Sequence, residues 1–444
     1  MNRAPTAPDS PPSTTGGPSR PARAGWGQAL LVYRRPRVLS MLFLGFSAGL
    51  PFYLLFQTLS AWLRQAGIQR STIGMLAWVG IAYTLKFLWA PVIDRAPLPL
   101  LYRLFGRRRS WMLLAQAGIA VGLFNLSLSD PASSVTRIAA WAMFVAFWAA
   151  TQDIAIDAWR IESAAVELQG AMAAAYQVGY RTALITGSAG AFALADRYGW
   201  HASYSVMALL VSVGVVTTLL IREPSMTTAR QPAAPGRGAV LGPIVDFFSR
   251  YRGGLALAIL AFIGTYRLTE YAMGSMANTF YIDRGYTLTQ IATVVKLYGL
   301  SMSIVGVVLA GMLIVKLGLV RCLVLGSVLI ALSNLGFAAL ATAHAPSLLG
   351  LGLVNGLDNI AQAVHGTSLI AFLSSLTSPR YTATQYALFT SLYALTGKIL
   401  EGTSGFVVDA IGYPAFFCYT AALSLPGLLL IYGLNRSRAR TVPT

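Results

Sequence analysis

The strongest constraint on this chain is a succession of apolar runs, each about 20 residues long, that covers most of its length. Such runs fit helices that cross a bilayer, because in hydrocarbon a helix satisfies its own backbone hydrogen bonds. The two-residue alternation of barrel strands is absent. We predict roughly twelve membrane-spanning helices, here called spans. They begin near Val38, Thr72, Ser110, Thr136, Ala171, Tyr204, Leu255, Leu288, Leu319, Pro346, Thr382 and Pro414.

Composition supports an integral membrane protein. Hydrophobic residues make up 56% of the 444 residues and charged residues 11%, whereas soluble domains carry about 25% charged residues. The net charge of +18 could indicate nucleic-acid binding. However, the cations lie in short loops beside span ends, where membrane topology places them. We therefore predict a lipid bilayer as the surroundings and no nucleic-acid partner.

The distribution of the 33 Lys and Arg residues predicts the orientation of the chain. With the N-terminus placed in the cytoplasm, most of them fall in cytoplasmic loops and tails. Only Arg64, Arg70, Arg137, Arg197 and Arg284 fall in loops on the other side. Positive charge collects on the cytoplasmic side of membrane proteins. Both termini are therefore expected to be cytoplasmic.

The sequence also indicates a duplication. Gly106 after span two recurs as Gly318 after span eight, and Asp196 at the end of span five recurs as Asp409 at the end of span eleven. Two six-helix halves are typical of transporters that bind their solute near the bilayer midplane, between the repeats. The predicted units are a disordered cytosolic tail 1–37, halves 38–221 and 253–434, a cytosolic connector 222–252 and a C-terminal tail 435–444.

Ten charged side chains lie inside predicted spans. A lone charge at the bilayer centre costs about 2.5 to 3.5 kcal/mol on insertion scales. The spans are therefore expected to surround a polar cavity or to pair these charges with each other. The ten are Lys86, Asp153, Asp157, Arg181, Arg267, Glu270, Lys296, Asp358, Lys398 and Glu401.

Helical spacing assigns some of these charges to pairs. Arg267 and Glu270 stand at i and i+3, as do Lys398 and Glu401, so each pair can neutralise itself on one helix. Asp153 and Asp157 share a face of span four. They could carry a coupling proton or could form permanent ion pairs with Lys86 or Arg181, and the sequence leaves both readings open.

Other positions suit a polar solute. Arg181 and Lys296 have no acid three or four residues away, and both side chains bind carboxylates. In span ten, Asn355, Asp358, Gln362 and His365 lie on one helix face. His365 could transfer a proton near neutral pH, or could form an interhelical hydrogen bond.

Several strings resemble a known transporter family. They are GFSAGLP from Gly45, KFLWAPVIDR from Lys86, GRRRSW from Gly106, QDIAIDAW from Gln152, GYR from Gly179 and ATQYAL from Ala383. Asp94 and Arg95, followed by Gly106 to Arg109, resemble the signature between spans two and three of the major facilitator superfamily. The whole set resembles the AmpG-type muropeptide permeases of that superfamily, a branch that also contains acetyl-coenzyme A carriers and some siderophore importers.

The resemblance implies proton-driven import of anhydromuropeptides, which are sugar-peptide fragments of the cell wall, across a bacterial inner membrane. We therefore expect an all-α membrane protein with a major facilitator-type bundle of about twelve helices, acting as a monomer. The alternatives are an importer of another solute such as a siderophore or an acyl-coenzyme A, a membrane enzyme, and a non-transporting receptor. No cofactor or metal is predicted, because the sequence lacks a phosphate-binding loop and a ligand cluster.

These arguments define three sets of candidate residues. The proton-coupling set is Asp153, Asp157, Glu270 and His365. The substrate-binding set is Gln152, Gln177, Tyr180, Arg181, Arg267, Lys296, Asn355, Asp358 and Gln362. The structural or gating set is Gly45, Gly49, Lys86, Asp94, Arg95, Gly106, Arg107, Arg108, Lys398 and Glu401.

Overall fold

A computed structural model of the protein describes residues 31–68, 77–224, 238–251, 253–287 and 290–441, and the regular structure in these ranges is helical. Eight helical stretches of the described chain are long and apolar enough to cross a membrane. One of them, Leu168–Leu220, contains two spans that meet at Gly199. The predicted all-α fold is confirmed.

The helices of the first half follow the predicted order. Span one is Pro36–Tyr53, Leu54–Thr58 and Leu59–Gln65; span two is Ala77–Gly80, Ile81–Leu85, Lys86–Leu88 and Ala90–Arg95; a short helix, Pro99–Phe105, follows it. Span three is Arg107–Ser127 and span four is Val135–Ser163. Spans five and six comprise Val166–Ile185, Thr186–Gly190, Ala191–Leu210 and Ser212–Leu220.

The second half repeats this arrangement after a connector helix, Gly238–Arg250. Span seven is Gly253–Tyr266 and Leu268–Asp283, span eight is Ile291–Tyr298 and Gly299–Leu317, span nine is Leu319–Thr342 and span ten is Leu348–Leu376. Spans eleven and twelve comprise Thr382–Ala422, with a turn at Gly412, and Leu425–Thr441.

Some predicted boundaries differ from the structure. Residues Val32–Arg34 form a helical turn, and the Tyr33 hydroxyl donates a hydrogen bond to the carbonyl of Val308, so the predicted disordered tail ends before this point. The last helix continues to Thr441, into the predicted C-terminal tail. Residues 1–30, 69–76 with the predicted start of span two, 225–237 of the connector, 252, 288–289 and 442–444 lie outside the described residues.

Backbone conformation supports the duplication. Gly106 and Gly318 have φ of 78° and 86°, and each precedes the third helix of its half. Gly199 and Gly412 have φ of 83° and 73°, and each lies between the last two spans of its half. This left-handed region favours glycine because it has no Cβ. The two halves therefore use the same turns at equivalent points.

Direct hydrogen bonds between the halves cluster at the end of the bundle where span one begins and span twelve ends, here called the terminal face. Asp94 accepts from the backbone N–H groups of Ala383 and Thr384 at 3.1 and 2.8 Å. Arg160 donates to Ser374 at 2.8 Å. The halves are thus closed against each other at the terminal face.

Candidate functional site

A cavity of about 570 Å³ lies between the two halves, lined by spans one and five of the first half and spans seven to ten of the second. It lies on the side away from the contacts at the terminal face. Six of the predicted site residues line it: Arg181, Glu270, Lys296, Asn355, Asp358 and Gln362. Residues far apart in sequence are therefore brought to one polar site.

Irregular helix turns form part of the cavity wall. Span one has a π-helical turn directly after Tyr53, and span five has one that contains Ser188. The two turns are joined, because the Thr58 hydroxyl donates to the carbonyl of Gly187 at 2.5 Å. In span eight the π-helical segment contains Lys296. π turns interrupt regular helices and often occur at functional sites.

Arg181 is the cation of the first-half wall. In the part of the chain that the structure describes, no hydrogen bond or ion pair holds its guanidinium. A cation without a partner is costly within the membrane-spanning part of a protein. The guanidinium is therefore available to an anionic group that enters the cavity.

Span seven breaks at Arg267, whose φ and ψ of −99° and 8° separate two helices. The Arg267 guanidinium forms an ion pair with Glu270, as the i, i+3 spacing predicts. The other carboxylate oxygen of Glu270 lies 2.6 Å from Nδ1 of His365 in span ten. The ring of His365 stacks on Tyr266, with centroids 3.8 Å apart. Glu270 of span seven therefore links this helix to span ten through His365.

Span ten contributes a polar wall. Asp358 accepts hydrogen bonds from Ser333 at 3.0 Å and from Gln362 at 2.6 Å. Asn355 donates to the carbonyl of Val294 at 3.0 Å, at the π-helical segment of span eight. Asn359 donates to the carbonyl of Asn355. These contacts hold the polar face of span ten in place without a cation.

The acids of span four lie outside this wall. Asp157 pairs with Arg160 at 3.2 Å, and not with the Lys86 or Arg181 considered from the sequence. The i, i+3 spacing on one helix explains this choice. Asp153 lies near the buried Lys86, and one of its oxygens has no hydrogen-bond partner among the described residues.

Four predicted substrate residues, Gln152, Gln177, Tyr180 and the Arg267 already described, do not line the cavity. Both ends of the Gln152 carboxamide bond to Ser47, at 2.9 and 3.0 Å, so this side chain joins spans one and four. Tyr180 packs against Phe52 and Tyr176. Gln177 is half-buried but is not part of the lining. Helical periodicity alone could not distinguish these inward positions from those at the cavity.

The expected pairing of Lys398 with Glu401 is wrong for this structure. Lys398 is exposed, and no ion pair joins the two residues, both of which the structure describes. The i, i+3 spacing permits a pair but does not impose one, because a lysine side chain is flexible and strongly hydrated.

The signature residues of spans two and three form a charged cluster at the terminal face. Arg108 is 1% exposed and contacts Asp94 at 2.7 Å and Glu162 at 2.6 Å. Arg107 lies 3.8 Å from Glu162, and the Arg95 guanidinium lies 6.0 Å from the ring of Tyr381. The cluster joins three spans of the first half to span eleven.

A further contact fixes the start of span three at the terminal face. The Glu223 carboxylate accepts hydrogen bonds from the backbone N–H groups of Arg108 and Arg109, which begin span three, and burial raises the pKa of this carboxyl.

Gly45 and Gly49 of span one have no room for a Cβ, because span five lies against them at Tyr176 and Tyr180. This is the close helix approach expected from the glycines.

Six polar residues of the cavity were not predicted as site residues: Tyr53, Ser188, Thr269, Tyr281, Asn334 and Asn359. Asn359 lines the cavity beside Asp358. Asn334 of span nine also lines it, and its amide donates a hydrogen bond to the hydroxyl of Thr420. Tyr53 of span one also lines it. An isolated asparagine within the apolar run of span nine was the available signal.

Comparisons with known proteins agree with this architecture. Residues 41–400 match the sequence profile of the Major Facilitator Superfamily. Among solved structures, the human organic anion transporter MFSD10 has a TM-score of 0.67 at 17% identity, with 89% of this chain and 99% of that chain covered. FucP in the outward conformation has a TM-score of 0.66 at 15% identity, with 91% and 99% covered. These likenesses show the fold.

Relatives of higher identity narrow the family. The chain is 34% identical over 407 residues to the anhydromuropeptide permease of Escherichia coli, which covers 91% of this chain and 81% of the permease. It is 30% identical over 410 residues to the putative transporter AmpG 4 of Rickettsia felis, with 91% and 98% covered. The chain therefore belongs to the Major Facilitator Superfamily and, within it, to the family of AmpG-type permeases.

Proposed function

We propose that this membrane transporter imports anhydromuropeptides across the bacterial inner membrane in symport with protons, as a monomer. The observation that carries the proposal is the cavity between the halves, where the unpaired guanidinium of Arg181 and the ammonium of Lys296 face carboxamides of span ten. An anhydromuropeptide carries carboxylates together with sugar hydroxyls and amides. Guanidinium and ammonium groups bind carboxylates, and carboxamides bind hydroxyls and amides.

The direction of transport follows from the predicted topology. If both termini are cytoplasmic, the terminal face is the cytoplasmic end, and its contacts through Asp94 and Arg160 close this end. The cavity then faces the outer side, from which import begins. Release on the inner side requires those contacts to separate while the halves rock about the site.

Glu270 is the acid that best suits proton coupling. It lines the cavity and holds both Arg267 and His365. Addition of a proton removes the charge on which both contacts depend, and thereby weakens the junction of spans seven and ten. Asp153, Asp157 and His365 stay in the proposal as further members of the proton route.

Uptake into proteoliposomes tests the proposal. Anhydromuropeptide, a ferric siderophore and acetyl-coenzyme A are offered separately, with and without an imposed proton gradient. We expect saturable uptake of the anhydromuropeptide alone, stimulated by the gradient. Saturable uptake of only the siderophore or only acetyl-coenzyme A would refute the assigned solute, and modified product without flux would indicate an enzyme.

A further inference from the structure

The carboxamides of span ten have one hydrogen-bonding pattern. Nδ2 of Asn359 donates to the carbonyl of Asn355 at 2.9 Å, and Nε2 of Gln362 donates to Asp358 at 2.6 Å. The amide nitrogens are thus turned toward the protein. Within the described chain, no hydrogen bond reaches Oδ1 of Asn359 or Oε1 of Gln362. Span ten therefore presents hydrogen-bond acceptors to the cavity.

The carboxylates nearby add to this acceptor character without supplying a donor. Asp358 accepts from Ser333 and Gln362, and both oxygens of Glu270 are occupied by Arg267 and His365. An ionised carboxylate only accepts hydrogen bonds. A solute group that binds the free oxygens of Asn359 and Gln362 must consequently donate, as a hydroxyl or an amide N–H does.

The first-half wall has the opposite character. Arg181 carries five N–H donors and no acceptor. It shares this wall with Tyr53, Ser188 and the apolar side chains of Leu184 and Ile185. A guanidinium in apolar surroundings discriminates strongly for an anion, because charge-assisted hydrogen bonds strengthen when water is excluded.

We infer that the cavity orients its solute, with hydroxyl and amide N–H groups on the span ten wall of the second half and a carboxylate on Arg181 of the first half. This inference rests on the proposed function and says which part of the solute each half holds. Because the two walls belong to different halves, a solute whose carboxylate binds Arg181 connects them. A neutral analogue lacks this charge-assisted contact with the first half, so it binds but does not drive closure.

Binding of two matched probes to the purified full-length protein tests this orientation. One probe is the disaccharide N-acetylglucosaminyl-anhydro-N-acetylmuramic acid, and the other is the same molecule with its carboxylate converted to a methylamide. Titration calorimetry gives both affinities. We expect the wild type to bind the acid roughly 10- to 100-fold more tightly, the usual effect of a hydrogen bond to a charged group.

Variants then separate the two walls. Arg181→Gln should bind the methylamide as the wild type does and lose most of the preference for the acid, while Arg181→Lys should keep a larger part of that preference. Asn359→Leu and Gln362→Leu should weaken both probes by the same factor, roughly 5-fold or more for each lost hydrogen bond. Arg137→Gln, at an exposed position outside the cavity lining, is the matched control and should change neither affinity.

The outcomes distinguish the two proposals. A wild type that binds neither probe overturns the proposed function and the orientation together. A wild type that binds both, combined with an Arg181→Gln variant that weakens both equally, overturns the orientation alone. Counterflow of the methylamide at the rate of the acid would overturn the claim that the carboxylate drives closure.

Discussion

Asp94 is predicted to control the balance between the two open states of the transporter. Its carboxylate is 3% exposed and reaches across the terminal face to the first turn of span eleven. Oδ1 accepts from the backbone of Ala383, and Oδ2 accepts from the backbone and hydroxyl of Thr384 at 2.8 and 2.7 Å. Asp94→Asn preserves the size of the side chain and removes its charge.

The magnitude follows from the contacts that exist only when the terminal face is closed. The contact of Asp94 with Arg108 lies within the first half and does not distinguish the states. The hydrogen bonds from Ala383 and Thr384 of span eleven do distinguish the states. In Asp94→Asn, the amide NH2 group would face one of these donors, and that hydrogen bond would be lost. Hydrogen bonds to a charged acceptor contribute about 1.5–3 kcal/mol, and a charge at a helix N-terminus about 0.3–1 kcal/mol. We expect a loss of about 3 kcal/mol, roughly 100-fold in the ratio of closed to open terminal face.

Cysteine labelling in membranes measures this ratio. In a background without Cys322 and Cys418, Ala387→Cys places a thiol that is buried among the residues joining the halves at the terminal face. Asp94→Asn should raise its labelling rate by roughly the same factor. Asp246→Asn is the matched control, because Asp246 of the connector helix accepts a hydrogen bond from Gln385 of span eleven and this bond does not involve the first half. Equal labelling of the wild type and Asp94→Asn would refute the reasoning.

Two further predictions concern glycines and use thermal unfolding in detergent. Gly179→Ala should lower the free energy of unfolding by about 1–3 kcal/mol, because its Cβ would overlap the carbonyl of Leu42, whereas Gly190→Ala has room and should not. Gly412→Ala should cost about 1–2 kcal/mol, because its φ is 73°. Gly433→Ala lies in a helix with nothing nearby and should be neutral or stabilising. Equal stability of the two members of either pair would contradict the packing or conformational argument.

The fold could be predicted largely from sequence because bilayer thickness sets the length of each apolar run. The repeated Gly106 and Gly318 also correspond to equivalent turns in the structure. The break at Arg267 and the π turns were not predicted. Pro51 precedes the π turn of span one, but no proline marks the break at Arg267 or the π turns of spans five and eight, which depend on how neighbouring helices pack around the cavity.

The site was predicted in part. Charges inside apolar runs identified Arg181, Glu270 and Lys296, because charged groups within membrane-spanning helices require polar surroundings, and all three line the cavity. Hydrogen-bond partners were not available from sequence. Gln152 was predicted to bind substrate but joins spans one and four, and Lys398 has no ion pair with Glu401 although their spacing permits one.

Proton movement during solute uptake tests the central claim most directly. Proteoliposomes with a pH-sensitive dye inside receive anhydromuropeptide outside, and solute and protons are followed together. We expect the wild type to acidify the lumen as it takes up solute, and Glu270→Gln to give no acidification. Solute uptake by the wild type without acidification, or equal acidification by Glu270→Gln, would contradict proton coupling through this cavity.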